Sequence, residues 1–337
     1  MLLTTFLVCA TPQQPYLLIG CMPKVMVIGG CGFIGSHIVS ALKTAGHNVR
    51  VLDLRPEAFR PPVPEVEYVY ASFLHTESLR LAMSGVDRVI HCASTTVPVT
   101  ASQSPIRDIE ENLVGTVNLL SVMQELRIGR LVFFSSGGTV YGPQTTIRVS
   151  EKDPIRPTSE YGACKAAIEI YIRLHHARHG LSYCILRPSN PYGPRQGNIG
   201  TQGVIGTFLN TCAEGGTIKV WGDGSVVRDY IHVADLIGLS IRAIDSETIG
   251  TFNAGSGEGH SVSEILSAVT AASKTSPPVV HLSAMPHDVP RIVLDIAKAK
   301  LHFGWEPKVR LEDGLRDTWN WLLRSRAATI GANPEVL

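Results

Sequence analysis

No part of this 337-residue chain concentrates charge of one sign. Lys and Arg number 30 and Asp and Glu 29, for a formal charge of +1, and they form no basic or acidic block. A nucleic acid or an anionic membrane surface would find nothing to hold. The seven cysteines include no CxxC pair. An odd number of thiols, mostly inside apolar segments, argues against a disulfide framework or a zinc site and fits reduced thiols in a cytoplasm. The histidines include the neighbours His175-His176 but no HExxH spacing, so no metal is implied. Internal repeats and low-complexity segments are absent. The apolar run Met1–Ala10 is too short to cross a membrane, and it lacks the preceding Lys or Arg of a secretory signal. Residues 1–23 are therefore read as a disordered extension or a misassigned start, with a cleaved signal as the alternative. The length suggests roughly two domains.

What is present begins at Val25. Val25-Met26-Val27-Ile28 is a short continuous apolar run, as expected of a strand buried on both faces. Gly29-Gly30-Cys31-Gly32-Phe33-Ile34-Gly35 turns the chain. Ile34, Ile38, Leu42 and Ala45 then recur at helical spacing, and Gly46 stands where a helix ends. Val49–Leu52 is a second strand, closed by Asp53. Glycines let the backbone approach a pyrophosphate, and the helix N-terminus favours that anion. Asp53, eighteen positions after Gly35, can accept both hydroxyls of an adenosine ribose and would repel a 2′-phosphate, which favours NAD over NADP. The competing reading is a βαβ turn that holds no ligand.

Further strands are expected at Val66–Tyr70, Val86–His91, Arg130–Phe134 and Ser182–Leu186, and helices at Leu74–Met83, Ile106–Leu126 and Ser159–His179. Alternating strands and helices imply an α/β fold: a Rossmann-type doubly wound parallel sheet with ligands at the C-terminal strand ends. The turn His91-Cys92-Ala93-Ser94-Thr95 has small residues where a strand would meet a nucleotide. From Pro191 the pattern loosens into a smaller mixed α/β C-terminal substrate-binding domain. Expected boundaries are 24–190 for NAD binding, with a returning segment near 229–257, and 191–228 with 258–325 for the substrate.

Tyr161 and Lys165 are i and i+4 on a helix and share a face. A free tyrosine, with a pKa of about 10, is a poor base at neutral pH. A nearby ammonium and a positive nicotinamide ring would stabilise its phenolate, which would then take a proton from a sugar hydroxyl. The alternative is a pair on a helix surface. The spacing occurs often by chance, and its place after the dinucleotide motif and the Ser-Ser-Gly strand end gives it weight.

Taken together, the motifs resemble the extended short-chain dehydrogenase/reductases of the NAD-dependent epimerase/dehydratase type, their nucleotide-sugar 4-epimerases above all. The resemblance covers about Lys24 to Leu323. It rests on Gly29-x-x-Gly32-x-x-Gly35, His91-Cys92-Ala93, Asn112 with Gly115-Thr116, and Ser135 to Gly142. Tyr161-x-x-x-Lys165, Arg187 to Pro194, Trp221 to Gly224, Arg228 to Val233 and Asp288-Val289-Pro290 complete it. It implies cofactor contacts from Gly29, Gly32, Phe33, Ile34, Gly35 and Asp53. Ser72, Phe73, Cys92, Ala93, Ser94, Asn112, Ser135, Tyr161, Lys165 and Pro188 would add to them. It further implies that Asn190 binds the nucleotide sugar and that Arg228 clamps its diphosphate. A strand-end turn for Asn190 and a surface ion pair with Asp229 for Arg228 are the plainer alternatives. Two copies would dimerise through the helices Ile106–Leu126 and Ser159–His179 as a four-helix bundle.

Three positions depart from the family. Gly137 replaces the Ser or Thr that binds the reacting sugar hydroxyl; the nearest hydroxyls are Ser136 and Thr139, and Thr139 is the expected substitute unless its role is only in the turn. Ser72 stands where an acidic residue is expected near the adenine. Met285 stands where an Arg for the diphosphate is common, and Arg291 takes a substrate anion instead or only a surface partner. Dehydration is disfavoured because Gly138 and Thr139 stand where an acid pair would be needed. The resemblance thus implies 4-epimerisation of a UDP-hexose (glucose, glucuronate or an N-acetylhexosamine) with tightly held NAD. A reductase that exchanges its cofactor, or a nucleotide-binding homologue that lost catalysis at Gly137, is the competing expectation.

Overall fold

The computed structural model describes residues 22–196, 203–284 and 289–332. The expectations for residues 1–21, Met285 and Asp288 lie outside them. The chain opens with β1 (Lys24–Ile28), α1 (Phe33–Thr44), β2 (Asn48–Asp53), β3 (Val66–Tyr70), α2 (Thr76–Met83) and β4 (Arg88–His91). Next come α3 (Pro98–Gln103), α4 (Pro105–Asp108), a π-helical stretch Ile109–Val114, α5 (Gly115–Glu125), β5 (Arg130–Phe134), α6 (Glu160–His179) and β6 (Ser182–Pro188). All six strands read from the sequence are present.

The long helix expected from Ile106 to Leu126 is instead three segments. The wide turn falls at Asn112, whose carbonyl accepts the Thr116 hydroxyl at 2.6 Å. Helix α6 starts on Ser159, whose hydroxyl accepts the Gly162 amide, and stops at Gly180 in the left-handed region.

The second half adds β7 (Asn190–Tyr192), α7 (Val204–Glu214), β8 (Ile218–Trp221), β9 (Val227–His232), α8 (Val233–Asp245) and β10 (Gly250–Ala254). It ends with β11 (Gly259–Ser261), α9 (Val262–Ser273), β12 (Val279–Leu282), β13 (Arg291–Ile292), α10 (Ala297–Phe303) and α11 (Leu311–Ala332). Seven strands form one parallel sheet in the order β10-β6-β5-β4-β1-β2-β3. The order reverses between β1 and β4, the place where such sheets open a crevice for a ligand.

Alternation along each strand builds two hydrophobic layers. Val25 and Val27 of β1 pack with Ile38 and Leu42 of α1 and Leu236 of α8. Met26 and Ile28 face the other way, with Leu79 of α2, Leu119 of α5 and Ile168 of α6. A third cluster, around Phe208, Ile265 and Leu315, joins α7, α9 and α11. Beside it, β9 pairs with β7, β11 and β13, and β8 with β12. These smaller elements stand over the carboxyl edge of the large sheet.

Candidate active site

A cleft of about 1430 Å³ runs along that edge, from Asp53 to Arg228. Its floor at the dinucleotide end is made of missing side chains. A Cβ on Gly35 would lie 2.0 Å from the Gly29 carbonyl oxygen, and one on Gly29 would lie 2.7 Å from the Ala93 nitrogen. Helix α1 starts from Gly32, which has no side chain to cap the first amides, and this leaves that end to an anion. Asp53 accepts the Cys31 amide at 2.9 Å and the Leu54 amide at 2.7 Å. Each carboxylate oxygen can still accept a ribose hydroxyl. Phe33, Ile34, Ser72, Phe73, Cys92, Ala93 and Ser94 line the same cleft. This cradle, closed to any Cβ and ended by one carboxylate, fits NAD. Burial pushes the thiols of Cys31 and Cys92 up to about 12, which argues against either acting as a nucleophile at neutral pH.

At the other end, Tyr161 and Lys165 reach the cleft from α6. Lys165 is 4 % exposed, and its ammonium donates to the Phe134 carbonyl at 3.2 Å. The same nitrogen lies 5.6 Å from the centre of the Tyr161 ring. Helix α6 comes close because residue 162 is glycine; a Cβ there would stand 2.5 Å from the Thr139 carbonyl oxygen. Pro188, Asn190 and Arg228 complete this end. The Asn190 amide donates to the Asp229 carbonyl at 2.8 Å. The Asp229 carboxylate is fully buried and accepts from the Ser256 amide and hydroxyl and from the amides of Gly257 and Leu294. It thus works as a hub that ties β9 to its neighbours.

Three expected site residues do not line the cleft. Asn112 is buried beneath it. Its side chain accepts the Thr95 amide and donates to Thr95, Thr96 and Asp108, so it fixes the loop after β4. Gly137 is buried and donates its amide to the Pro188 carbonyl at 2.8 Å. Arg291 is exposed on β13, beside Gly259. Two further hydroxyls are turned away or sealed. Ser135 gives its hydroxyl to Glu169 at 2.6 Å, and the Thr139 oxygen is buried without a partner among the described residues. Ser136 is half-buried and lines the cleft.

Sequence reading missed Glu169, although Tyr161, Lys165 and Glu169 follow one another at i+4 spacing. Glu169 is fully buried and takes two hydrogen bonds from Arg187, at 2.8 and 2.6 Å. Burial pushes its carboxyl up, but Arg187, Ser135 and Arg173 more than offset this and hold it below the usual carboxylate range. Arg187 also donates to the Tyr141 hydroxyl, which donates to Asn253. The network binds α6 to the ends of β5, β6 and β10.

No helix among the described residues is long and apolar enough to cross a membrane, and no cluster of three or more metal-ligating side chains occurs among them. The NAD dependent epimerase/dehydratase family matches residues 25–255. A UDP-glucose 4-epimerase of Mycolicibacterium smegmatis is 33% identical over 304 residues, which is 88% of this chain and 97% of that protein. The structure of a Thermus thermophilus UDP-glucose 4-epimerase with NAD aligns with a TM-score of 0.84 at 36% identity, over 90% of this chain and 99% of that one. A Thermotoga maritima UDP-glucose 4-epimerase with UDP-glucose aligns with a TM-score of 0.86 at 31% identity, over the same shares. This chain therefore belongs to the NAD dependent epimerase/dehydratase family.

Proposed function

We propose that the protein is a nucleotide-sugar 4-epimerase that acts on a UDP-hexose and keeps its NAD bound. The observation that carries this reading is the Tyr161–Lys165 pair facing the same cleft as the glycine cradle and Asp53. The chemistry a bound NAD supplies is reversible hydride exchange with C4 of the sugar, which turns that carbon into a ketone and back. Gly29, Gly32, Phe33, Ile34, Gly35 and Asp53 would hold the adenosine and pyrophosphate, and Pro188 the nicotinamide end. Tyr161, as phenolate, takes the proton of the C4 hydroxyl and later returns it. Lys165, anchored on Phe134, keeps its positive charge near the Tyr161 ring. Arg228 takes the diphosphate and Asn190 the sugar.

Residues 24–190 with 229–257 form the NAD unit in this reading, and 191–228 with 258–325 the cap. A homodimer is part of it. Ile106, Ile109, Val114, Ile170, Tyr171 and Leu174 are all exposed on α4, the π-helical stretch and α6. Two copies would cover them as a four-helix bundle. The five free thiols among the described residues fit a cytoplasmic location.

The test is an NMR time course without added cofactor, with UDP-glucose, UDP-glucuronate and UDP-N-acetylglucosamine supplied separately. The H4 signal of the matching galacto sugar is expected from at least one. Silence with all three, even after NAD is added, would sink this assignment. Tyr161→Phe should lower kcat by about 10²–10⁴-fold while NAD content stays at the wild-type level. A homologue that had lost catalysis would be indifferent to it.

A further inference from the structure

The residue at 137 has no side chain to offer, and the structure shows that it could offer none to the cleft. A Cβ there would lie 2.6 Å from Leu294, 2.9 Å from the Arg187 carbonyl oxygen and 3.1 Å from that of Pro188. Any side chain at 137 thus points back at β6. Thr139 borders the cleft, but its hydroxyl oxygen is buried and has no partner among the described residues. Ser136 differs from both. It is half-buried, it lines the cleft, and its hydroxyl, neither sealed nor bonded to a neighbour among the described residues, is open.

Everything around that hydroxyl is pinned. The Ser135 amide donates to Leu186 at 2.8 Å, the Gly137 amide to Pro188 at 2.8 Å, and the Val140 amide to the carbonyl of Ser136 itself at 3.2 Å. The Ser135 hydroxyl is held by Glu169. Lys165 grips the carbonyl of Phe134, and Gly162 packs on that of Thr139. Ser136 therefore stands between the two points where α6 touches the turn, on the helix that carries Tyr161. A fixed, open hydroxyl with an unused proton is suited to meet an oxygen whose charge changes during reaction.

Building on the epimerase reading, we propose that Ser136 Oγ donates the hydrogen bond that holds the reacting sugar oxygen against Tyr161. The sugar hydroxyl loses its proton to the Tyr161 phenolate, and the electron pair left on oxygen closes the C4 carbonyl as hydride leaves C4, for which a bound NAD would be the acceptor. Ser136 keeps its own proton throughout and stays hydrogen-bonded to that oxygen. The hydroxyl missing at 137 is thus supplied one residue earlier.

The test compares Ser136→Ala with Thr139→Val, using whichever of the three UDP-hexoses the wild type turns over. Ser136→Ala should lower kcat about 10²–10³-fold, with NAD content and UDP affinity near the wild-type values. Thr139→Val should lose at least tenfold less. Ser136→Thr, which keeps a hydroxyl, should recover at least tenfold over Ser136→Ala. Equal losses, the reverse ranking, or a loss below threefold in Ser136→Ala would overturn the proposal. If Tyr161→Phe were fully active, the epimerase reading itself would fail, which is a separate result.

Discussion

The two ends of the cleft floor are built by opposite means. Where β1 ends, the site is defined by atoms that are absent: Gly29 and Gly35 leave no room for a Cβ, and backbone amides face the space that remains. Where β5 and β6 end, the site is defined by buried side chains of Ser135, Tyr141, Glu169, Arg187 and Asn253, bonded in series. The first construction holds its shape through sterics that no rotamer change can relieve. The second holds it through charge and hydrogen bonds that must all be satisfied together. A single added methyl should ruin one, and a single lost charge the other.

Gly35→Ala should have the largest effect. The new Cβ would stand 2.0 Å from the Gly29 oxygen and 2.8 Å from the Gly30 Cα, backbone on both sides. The turn or the start of α1 has to move. We expect destabilisation of about 4 kcal/mol or more and protein that purifies without NAD. Cofactor absorbance after denaturation, read beside a thermal melt, checks it. Stoichiometric NAD in this variant would mean that the cradle lies elsewhere.

Glu169→Gln attacks the other construction. It keeps the shape of the side chain but strands the Arg187 guanidinium, 2 % exposed, without its counter-charge. Breaking a buried pair on one side costs about 3–5 kcal/mol. Denaturant titration should show that loss. The double change Glu169→Leu with Arg187→Met should recover part of it, because no buried charge remains. A single-variant cost below about 1 kcal/mol, the range of surface pairs, would show that the network holds nothing.

The same contrast explains what could be read from the chain. The glycine cradle is contiguous, so Gly29, Gly32, Gly35 and Asp53 announced it within one stretch, along with the strands and most helices. Tyr161 and Lys165 are also local, one helical turn apart. The five residues of the buried network are scattered from 135 to 253, and only folding brings them together. Glu169 carried a signal in its i+4 step from Lys165, but that step alone also describes a solvated helix face. The π-helical stretch was hidden for a related reason. Asn112 within it bonds to Thr95 and Thr96, which only folding brings near, and the helical spacing around it is ordinary. The sequence ranks the Thr139 hydroxyl ahead of that of Ser136, since sequence does not tell which oxygen is sealed.

A smaller effect tests whether the buried layer between the two ends is as dry as its contacts imply. His91, at the end of β4, packs against the rings of Phe73 and Phe133 and is 2 % exposed. The Thr116 hydroxyl gives its hydrogen to the Asn112 carbonyl, so it accepts from His91, whose Nε2 must carry the proton. Burial, helped by the Lys165 charge, pulls the His91 pKa down from 6.5 to about 3. The unfolded chain therefore binds a proton between these values that the folded chain refuses. Stability from this group is complete above pH 6.5 and is lost as pH falls toward 3, by roughly 1.4 kcal/mol per pH unit. His37, which burial pulls down to about 4, acts in the same direction. His91→Asn should remove one of these contributions. The difference in unfolding free energy between wild type and variant should narrow as pH drops from 7 to 5, and taking that difference cancels the other titrating groups. A gap constant with pH would mean that His91 meets water or takes up a proton in the folded protein, and that this layer beneath the cleft is open.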